Sequence, residues 1–384
     1  LHVDDVGHGF LAGPTGAGKS TLLEFLEASF LRYPGARVRK FEKGYSSFVL
    51  CNAVGGDYYD IGGDHGGEIS FCPLRLVHKP TERAWAEDYI ETLLKLQGFA
   101  VMPSHRTTIR IALNVLAAGD EDRRTMTDFV QQLQDEHLRE ALIGYTLEGN
   151  NSMLDAKSDN VTLGRFVVFE MEHLMGMGEK HAVPVLLYLF RCIERGLDGA
   201  PTLLVLDEAW LMLSHPLFQE KIREWLKTLR KANCAVWFAT QELSDVGNSP
   251  IRDVIFTACP TRILLANPEL LSDEEAAKPY RSMGMNSRQI ELLGGMTKKL
   301  DYYYTSPNGR RRFQLGLGPL NLAFVGASGK DDVKKARELI ALYGDHWVVE
   351  WLRWCNTTKE WGIGKLGQHA NELEKLLPPK QREA

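Results

Sequence analysis

"GPTGAGKS", Gly13 to Ser20, decides how this chain is read. It fits the pattern G-x-x-x-x-G-K-[ST], in which glycines let backbone N–H groups curl around phosphates, a lysine reaches the β- and γ-phosphates and a hydroxyl holds Mg²⁺. The flanks agree with that reading. "HGFLA" before the loop has the length and apolarity of a short buried strand, and "STLLEFLEASFL" after it reads as an amphipathic helix whose N-terminus faces the anion. The expected ligand is ATP with Mg²⁺. Its binding residues are Gly13, Pro14, Thr15, Gly16, Ala17, Gly18, Lys19, Ser20 and Thr21, with Ser20 also on the metal.

Outward from the loop, strand and helix patterns alternate. "ARVRKFE" reads as a second strand, "YSSFVLCNAV" as a helix, and "YYDI" and "EISFCPL" as short extended pieces. Such alternation implies a mostly parallel sheet flanked by helices. The Gly-rich run "GGDYYDIGGDHGG" makes turns. Between about 79 and 163 the character changes, because "ERAWAEDYIETLLKLQ", "HRTTIRIALNVLAA" and "TMTDFVQQLQDEHLREALIGYTL" all carry apolar residues at helical spacing. The expected organisation is an α/β core in two segments, 1–78 and 164–329, an all-helical insertion at 79–163 and a C-terminal helical segment at 330–384. In that last segment Trp347, Trp351, Trp354 and Trp361 are expected to pack on a neighbouring helix or partner rather than on a ligand.

Leu203 to Leu206 form an apolar run that delivers Asp207 and Glu208 at the end of a strand, where ligands bind in a doubly wound sheet. Asp207 is the expected second metal residue and Glu208 the general base for an attacking water. Both acids could instead cap the helix that "EAWLML" begins. After "LKTLRKANCAVWFATQ", Gln241 stands at the end of another strand, where an amide positions water beside a γ-phosphate. Charge on the transferring phosphoryl group also calls for an arginine. Arg230, before that strand, and Arg262, in the next strand "TRILLA", are the candidates. An arginine reaching a neighbour's nucleotide would require a ring of subunits.

Composition bounds the remaining choices. The 384 residues are 44% hydrophobic, enough to fill a sizeable core, and 45 Lys and Arg against 50 Asp and Glu give a net charge of -5. No overall positive field draws nucleic acid to the surface, although "GRRRF", from Gly309 to Phe313, is a local basic cluster. The six cysteines show no C-x-x-C spacing, which argues against a zinc site or a disulfide framework and for reduced, cytosolic thiols. No apolar run approaches the roughly 18 residues that span a bilayer. The chain begins at Leu1 without a methionine and is expected to be a piece of something longer.

The assembled stretches resemble the C-terminal ATPase domain of the conjugative-transfer and type IV secretion ATPases, the TrbE type in particular, within the HerA/FtsK group of RecA-like motors. "GPTGAGKSTLL", "RKFEKGYSSFVL", "GGDYYDIGG", "APTLLVLDEAWLML", "FQEKIREWLKTLRKANCAVWFATQ", "CPTRILLANPE" and "LGLGPLNLAFVGAS" carry the likeness, which covers nearly the whole chain. It implies a RecA-like core with an all-helical subdomain and ATP hydrolysis at the interfaces of a homo-oligomer, a hexamer. It also implies attachment to other secretion components at the cytoplasmic face of the bacterial inner membrane. The family's metal acid, catalytic glutamate and sensor glutamine fall on Asp207, Glu208 and Gln241, and its trans-acting arginine favours Arg230. Where many relatives have Asp in the second-strand motif this chain has Glu42, so Glu42 and Lys43 are expected only as neighbours of the site. The leading expectation is an ATPase that energises conjugative secretion. A DNA-translocating motor is the alternative, and a scaffold that merely holds nucleotide is opposed by the water-activating acid at 208.

Overall fold

The runs Leu203–Leu206 and Ala235–Ala239 are uninterrupted by polar residues, and such a run belongs in a strand covered on both faces. In the computed structural model, which describes residues 7–63, 69–208, 215–241, 243 and 249–377, every residue of these two strands is buried. The strands among the described residues are β1 (Gly9–Ala12), β2 (Arg37–Glu42), β3 (Asp57–Asp60), β4 (Phe166–Glu170), β5 (Thr202–Asp207), β6 (Cys234–Thr240), β7 (Thr261–Leu265), β8 (Asp301–Ser306) and β9 (Gly309–Gln314). Their order in one sheet is β3-β4-β2-β5-β6-β1-β7-β8-β9. The pairs β2-β5, β5-β6, β6-β1 and β1-β7 are parallel, and β7-β8 and β8-β9 are antiparallel. This is the mostly parallel, helix-flanked sheet that the alternating sequence predicts. Because β1, β5 and β6 run the same way, their C-terminal ends fall together.

The chain divides into two compact units. One comprises Leu1–Tyr58, Gly164–Phe169 and Leu197–Ala384, and the other Tyr59–Leu163 and Glu170–Gly196. The helical unit therefore begins some twenty residues before the expected boundary at 79 and takes in a segment expected in the core. The reason lies in the helix Glu179–Arg195, whose Val185, Leu186, Leu189, Phe190 and Ile193 are buried. It packs along Pro80–Leu96, where Tyr89 donates to the Pro184 carbonyl at 3.2 Å and Arg191 pairs with Glu82 at 2.5 Å. "TMTDFVQQLQDEHLREALIGYTL" is broken into Met126–Gln132 and Glu136–Leu142, because the Asp135 carboxylate accepts the Leu138 N–H at 3.2 Å and starts a new helix. Residues 69–74 of "EISFCPL" form no strand. Ser70 and Cys72 give their N–H groups to the side chains of Asn160 and Asp159 instead of a ladder.

In the other unit, α1 (Lys19–Phe30) covers the sheet through Leu22 and Leu23, which pack with Val38, Leu203, Val205, Ala235, Trp237 and Ile263. The helix is not simply apolar inside and polar outside, since Glu24 and Glu27 are both 0% exposed. They lie over Lys40 of β2, whose ammonium is 3.2 Å from Glu27 and 3.4 Å from Glu42 and donates to Ser47 Oγ at 2.6 Å. Glu42 also accepts from Ser46 Oγ, the Ser47 N–H and hydroxyl, and Tyr58. A second core gathers the C-terminal helices Lys330–Tyr343, Trp347–Thr358 and Gly367–Leu376. Trp347 and Trp351 are buried in it, and Trp351 donates to the Ala323 carbonyl at 2.8 Å, so these rings pack on neighbouring helices. All six cysteines are unpaired. Among the described residues no helix is long and apolar enough to cross a membrane.

Candidate active site

β1 ends at Ala12 and the chain turns at once into the phosphate loop, where the Gly13 N–H still donates to the Thr240 carbonyl of β6 at 3.3 Å. Two glycines make the curl possible. Gly16 and Gly18 have φ of 75° and 101°, a left-handed backbone that side chains disfavour. At Gly16 a Cβ would meet nothing within 4 Å, whereas at Gly18 it would fall 2.6 Å from Tyr302 Oη. Gly18 is thus demanded by close approach as well as by conformation. Lys19 and Ser20 then open α1, whose free N–H groups point back toward the loop.

The strand ends bring the acids to this loop. Lys19 Nζ is 2.6 Å from Asp207 Oδ1 and 2.5 Å from Glu208 Oε1, and all three side chains are nearly buried. Gln241 donates from Nε2 to Glu208 Oε1 at 2.6 Å, and Thr15 Oγ1 donates to Gln241 Oε1. Lysine, two carboxylates, amide and threonine are therefore one connected set, drawn from the loop, β5 and the end of β6. Glu208 itself has φ of 59° and its N–H donates to Asp207 Oδ1 at 3.1 Å. This sharp turn sends the two acids toward the same ammonium although they are adjacent in a chain leaving an extended strand. The helix expected from "EAWLML" lies outside the described residues.

The two arginines fall elsewhere. Arg230 is exposed just before β6, which then runs from Cys234 to Thr240 before Gln241 is reached. At ~3.3 Å per residue that is roughly 20 Å of strand. Arg262 is the second residue of β7, in register with Phe10 rather than with Ala12 at the loop. Its guanidinium donates to the carbonyls of Phe256 and Cys259 at 2.5 and 3.3 Å, satisfying the end of the helix Arg252–Ala258. Glu42 stands at the end of β2 beside β5, committed to Lys40 and the serines, and Lys43 is exposed in the turn that follows.

Two contacts on the loop have no counterpart in the sequence reading. The Lys299 N–H donates to the Ala17 carbonyl at 3.0 Å, and Tyr302 Oη donates to the Gly18 carbonyl at 3.2 Å. Burial pushes the Tyr302 phenol up to about 12, so it remains a donor at any physiological pH. A partner 284 positions away leaves no local sequence signal.

Comparison with known proteins bears on the family and the fold. The family described as the TraG P-loop domain matches residues 126–302, which include both acids and Gln241. A probable conjugal transfer protein TrbE of Sinorhizobium fredii is 47% identical over 357 residues, 92% of this chain and 54% of that protein. The conjugal transfer protein TrbE of Rhizobium radiobacter is 48% identical over 359 residues, 92% of this chain and 43% of that one. The chain thus spans about half the length of these relatives. Among solved structures, VirB4 of Thermoanaerobacter pseudethanolicus superposes with a TM-score of 0.66 at 16% identity, covering 84% of this chain and 93% of that one. The fold is a RecA-like P-loop fold.

Proposed function

The chain belongs to the TrbE-type family of conjugal transfer proteins, and from that premise we propose that it hydrolyses ATP to energise conjugative type IV secretion, including pilus assembly and substrate transfer. One observation carries the reading: the Lys19 ammonium sits between Asp207 and Glu208, with Gln241 bonded to Glu208. The loop from Gly13 to Thr21 cradles the polyphosphate, and Lys19 exchanges the carboxylates for the β- and γ-phosphates. Glu208, freed from the ammonium, takes a proton from the attacking water while Gln241 orients it. The hydroxyl of Ser20 and the carboxylate of Asp207 are the hard oxygen donors that Mg²⁺ prefers, beside a glycine curl with open space at Gly16. Bound there, Mg²⁺ would neutralise phosphate charge.

Arg230 precedes the start of β6 and is separated from Gln241 by the length of that strand, which supports a role on the nucleotide of a neighbouring subunit. The working form is then a homo-oligomeric ring, a hexamer, held with other secretion components at the cytoplasmic face of the inner membrane. Arg262 is the weaker candidate, its guanidinium being occupied by helix carbonyls. A DNA-translocating motor is the second reading, favoured by the exposed Arg310 and Arg311 on β9 and opposed by the net charge of -5. Glu208→Gln tests the leading reading: ATP binding should persist while turnover falls about 10²- to 10⁴-fold. Loss of binding, or unchanged turnover, would overturn it, and steep salt-sensitive stimulation by DNA would transfer the case to the motor.

A further inference from the structure

The strand order puts the phosphate loop between two different neighbours. β5 and β6 lie to one side of β1 and bring Asp207, Glu208 and Gln241, while β7 and β8 lie to the other. On that second side the turn "TKKL", Thr297 to Leu300, arrives immediately before β8. It is fastened to the loop by the Lys299 N–H on the Ala17 carbonyl and by Tyr302 on the Gly18 carbonyl. The fit is close: a Cβ on Gly18 would come 3.2 Å from Lys299 Cα.

The turn is also rigidly built. Asp301 accepts the Thr297 N–H at 2.9 Å, and Arg312 and Gln314 of β9 bind the same carboxylate at 2.7 to 3.0 Å. Although burial acts to raise it, these donors hold the Asp301 carboxyl down at about 2, so the clamp stays ionised. Lys299 has φ of 64°, one of four described non-glycine residues in left-handed backbone, and Glu208 is another. Such strain persists where surrounding structure imposes it. The result is a pair of adjacent lysines, both exposed, neither in an ion pair among the described residues, carried on a backbone bonded to the loop.

We propose that Lys298 and Lys299 bind the polyphosphate of the nucleotide held by the adjoining loop, forming a basic wall opposite the acids of β5. This inference rests on the nucleotide site proposed above. Their contribution is affinity rather than chemistry. The water-activating groups lie on the other side of the loop, and an exposed ammonium attracts ATP and ADP in the ground state and transition state alike.

The test is titration of the purified chain with fluorescent mant-ADP and mant-ATP at low and high salt, alongside steady-state hydrolysis. Lys298→Ala/Lys299→Ala should weaken binding roughly 5- to 20-fold at low salt and less at high salt, raising KM with kcat within about twofold. Lys298→Arg/Lys299→Arg should restore most of the affinity, which a purely structural role of the turn would not require. Arg310→Ala/Arg311→Ala, on the exposed strand β9, should leave nucleotide affinity unchanged. Equal affinity in wild type and the lysine double variant would overturn the proposal, as would a defect in DNA binding alone. A wild-type chain that binds no mant-nucleotide would overturn the nucleotide site itself, and this proposal with it.

Discussion

Lys19 and Lys40 lie on the same side of the sheet, each between two carboxylates, yet one stands at the strand ends and the other beneath the helix. Lys19 faces Asp207 and Glu208 with about 8% of its side chain exposed, beside a loop with open space at Gly16. Lys40 faces Glu27 and Glu42 with no exposure of any of the three, two residues back from the end of β2. The difference is access. An ion pair at the mouth of a site can trade a carboxylate for a phosphate, because the incoming anion replaces the charge it displaces. A cluster sealed under α1 has no incoming partner, and losing its shared cation strands the carboxylates in low dielectric. Under the proposed function the first cluster would be remade in each turnover, whereas the second is a fixed strut between α1 and β2.

The largest effect should come from breaking the exchangeable cluster. Lys19→Ala is expected to lower kcat/KM at least about 10³-fold, some 4 kcal/mol of transition-state stabilisation, with the thermal unfolding midpoint nearly unchanged. A large fall in the midpoint would mean that Lys19 is also a strut. Lys40→Met should do the reverse, costing about 3–5 kcal/mol in denaturant unfolding of the unit that holds the sheet, because Glu27, Glu42 and the wholly buried Glu24 lose their common cation. Unchanged stability would show that these acids do not depend on it.

The smallest effect sharpens the contrast through pH. Burial, opposed by Lys40, lifts the Glu27 carboxyl from 4.5 to about 7. Between those values the folded chain holds a proton that the unfolded chain has lost, so stability falls as pH rises from about 5 to 7. Glu27→Gln should remove that part of the slope and be at least as stable as the parent at pH 8, Glu42 remaining as a partner for Lys40. Denaturant melts at pH 5, 6, 7 and 8 would check this. A slope steepened by the substitution would refute it.

How much of this could be read from the chain differs between the two clusters for a physical reason. The loop, the paired acids after Leu206 and Gln241 after "WFAT" are legible because each needs a local backbone form: a glycine curl, or the end of a buried strand. Glu24 and Glu27 are not legible as buried residues, since acids in a helix ordinarily mark its wet face. Their spacing of three on one face, matched by charged residues at alternate positions 40 and 42 of a strand, was the available hint. The "TKKL" turn offered less, because its place on the loop depends on the antiparallel return of β8. The extent of the helical unit is not legible in the sequence for a related reason. "VPVLLYLF" is equally suited to cover a sheet or another helix, and only packing decides.

The left-handed backbone at Glu208 sets heat resistance against activity at a single position. A glycine there would adopt the same turn without the roughly 1 kcal/mol that a side chain incurs. Any search for sturdier variants that scores survival alone is therefore drawn toward removing the residue proposed to activate water. An engineer seeking a tougher form of this protein should exempt position 208 from such selection and look for gains in the helical unit instead.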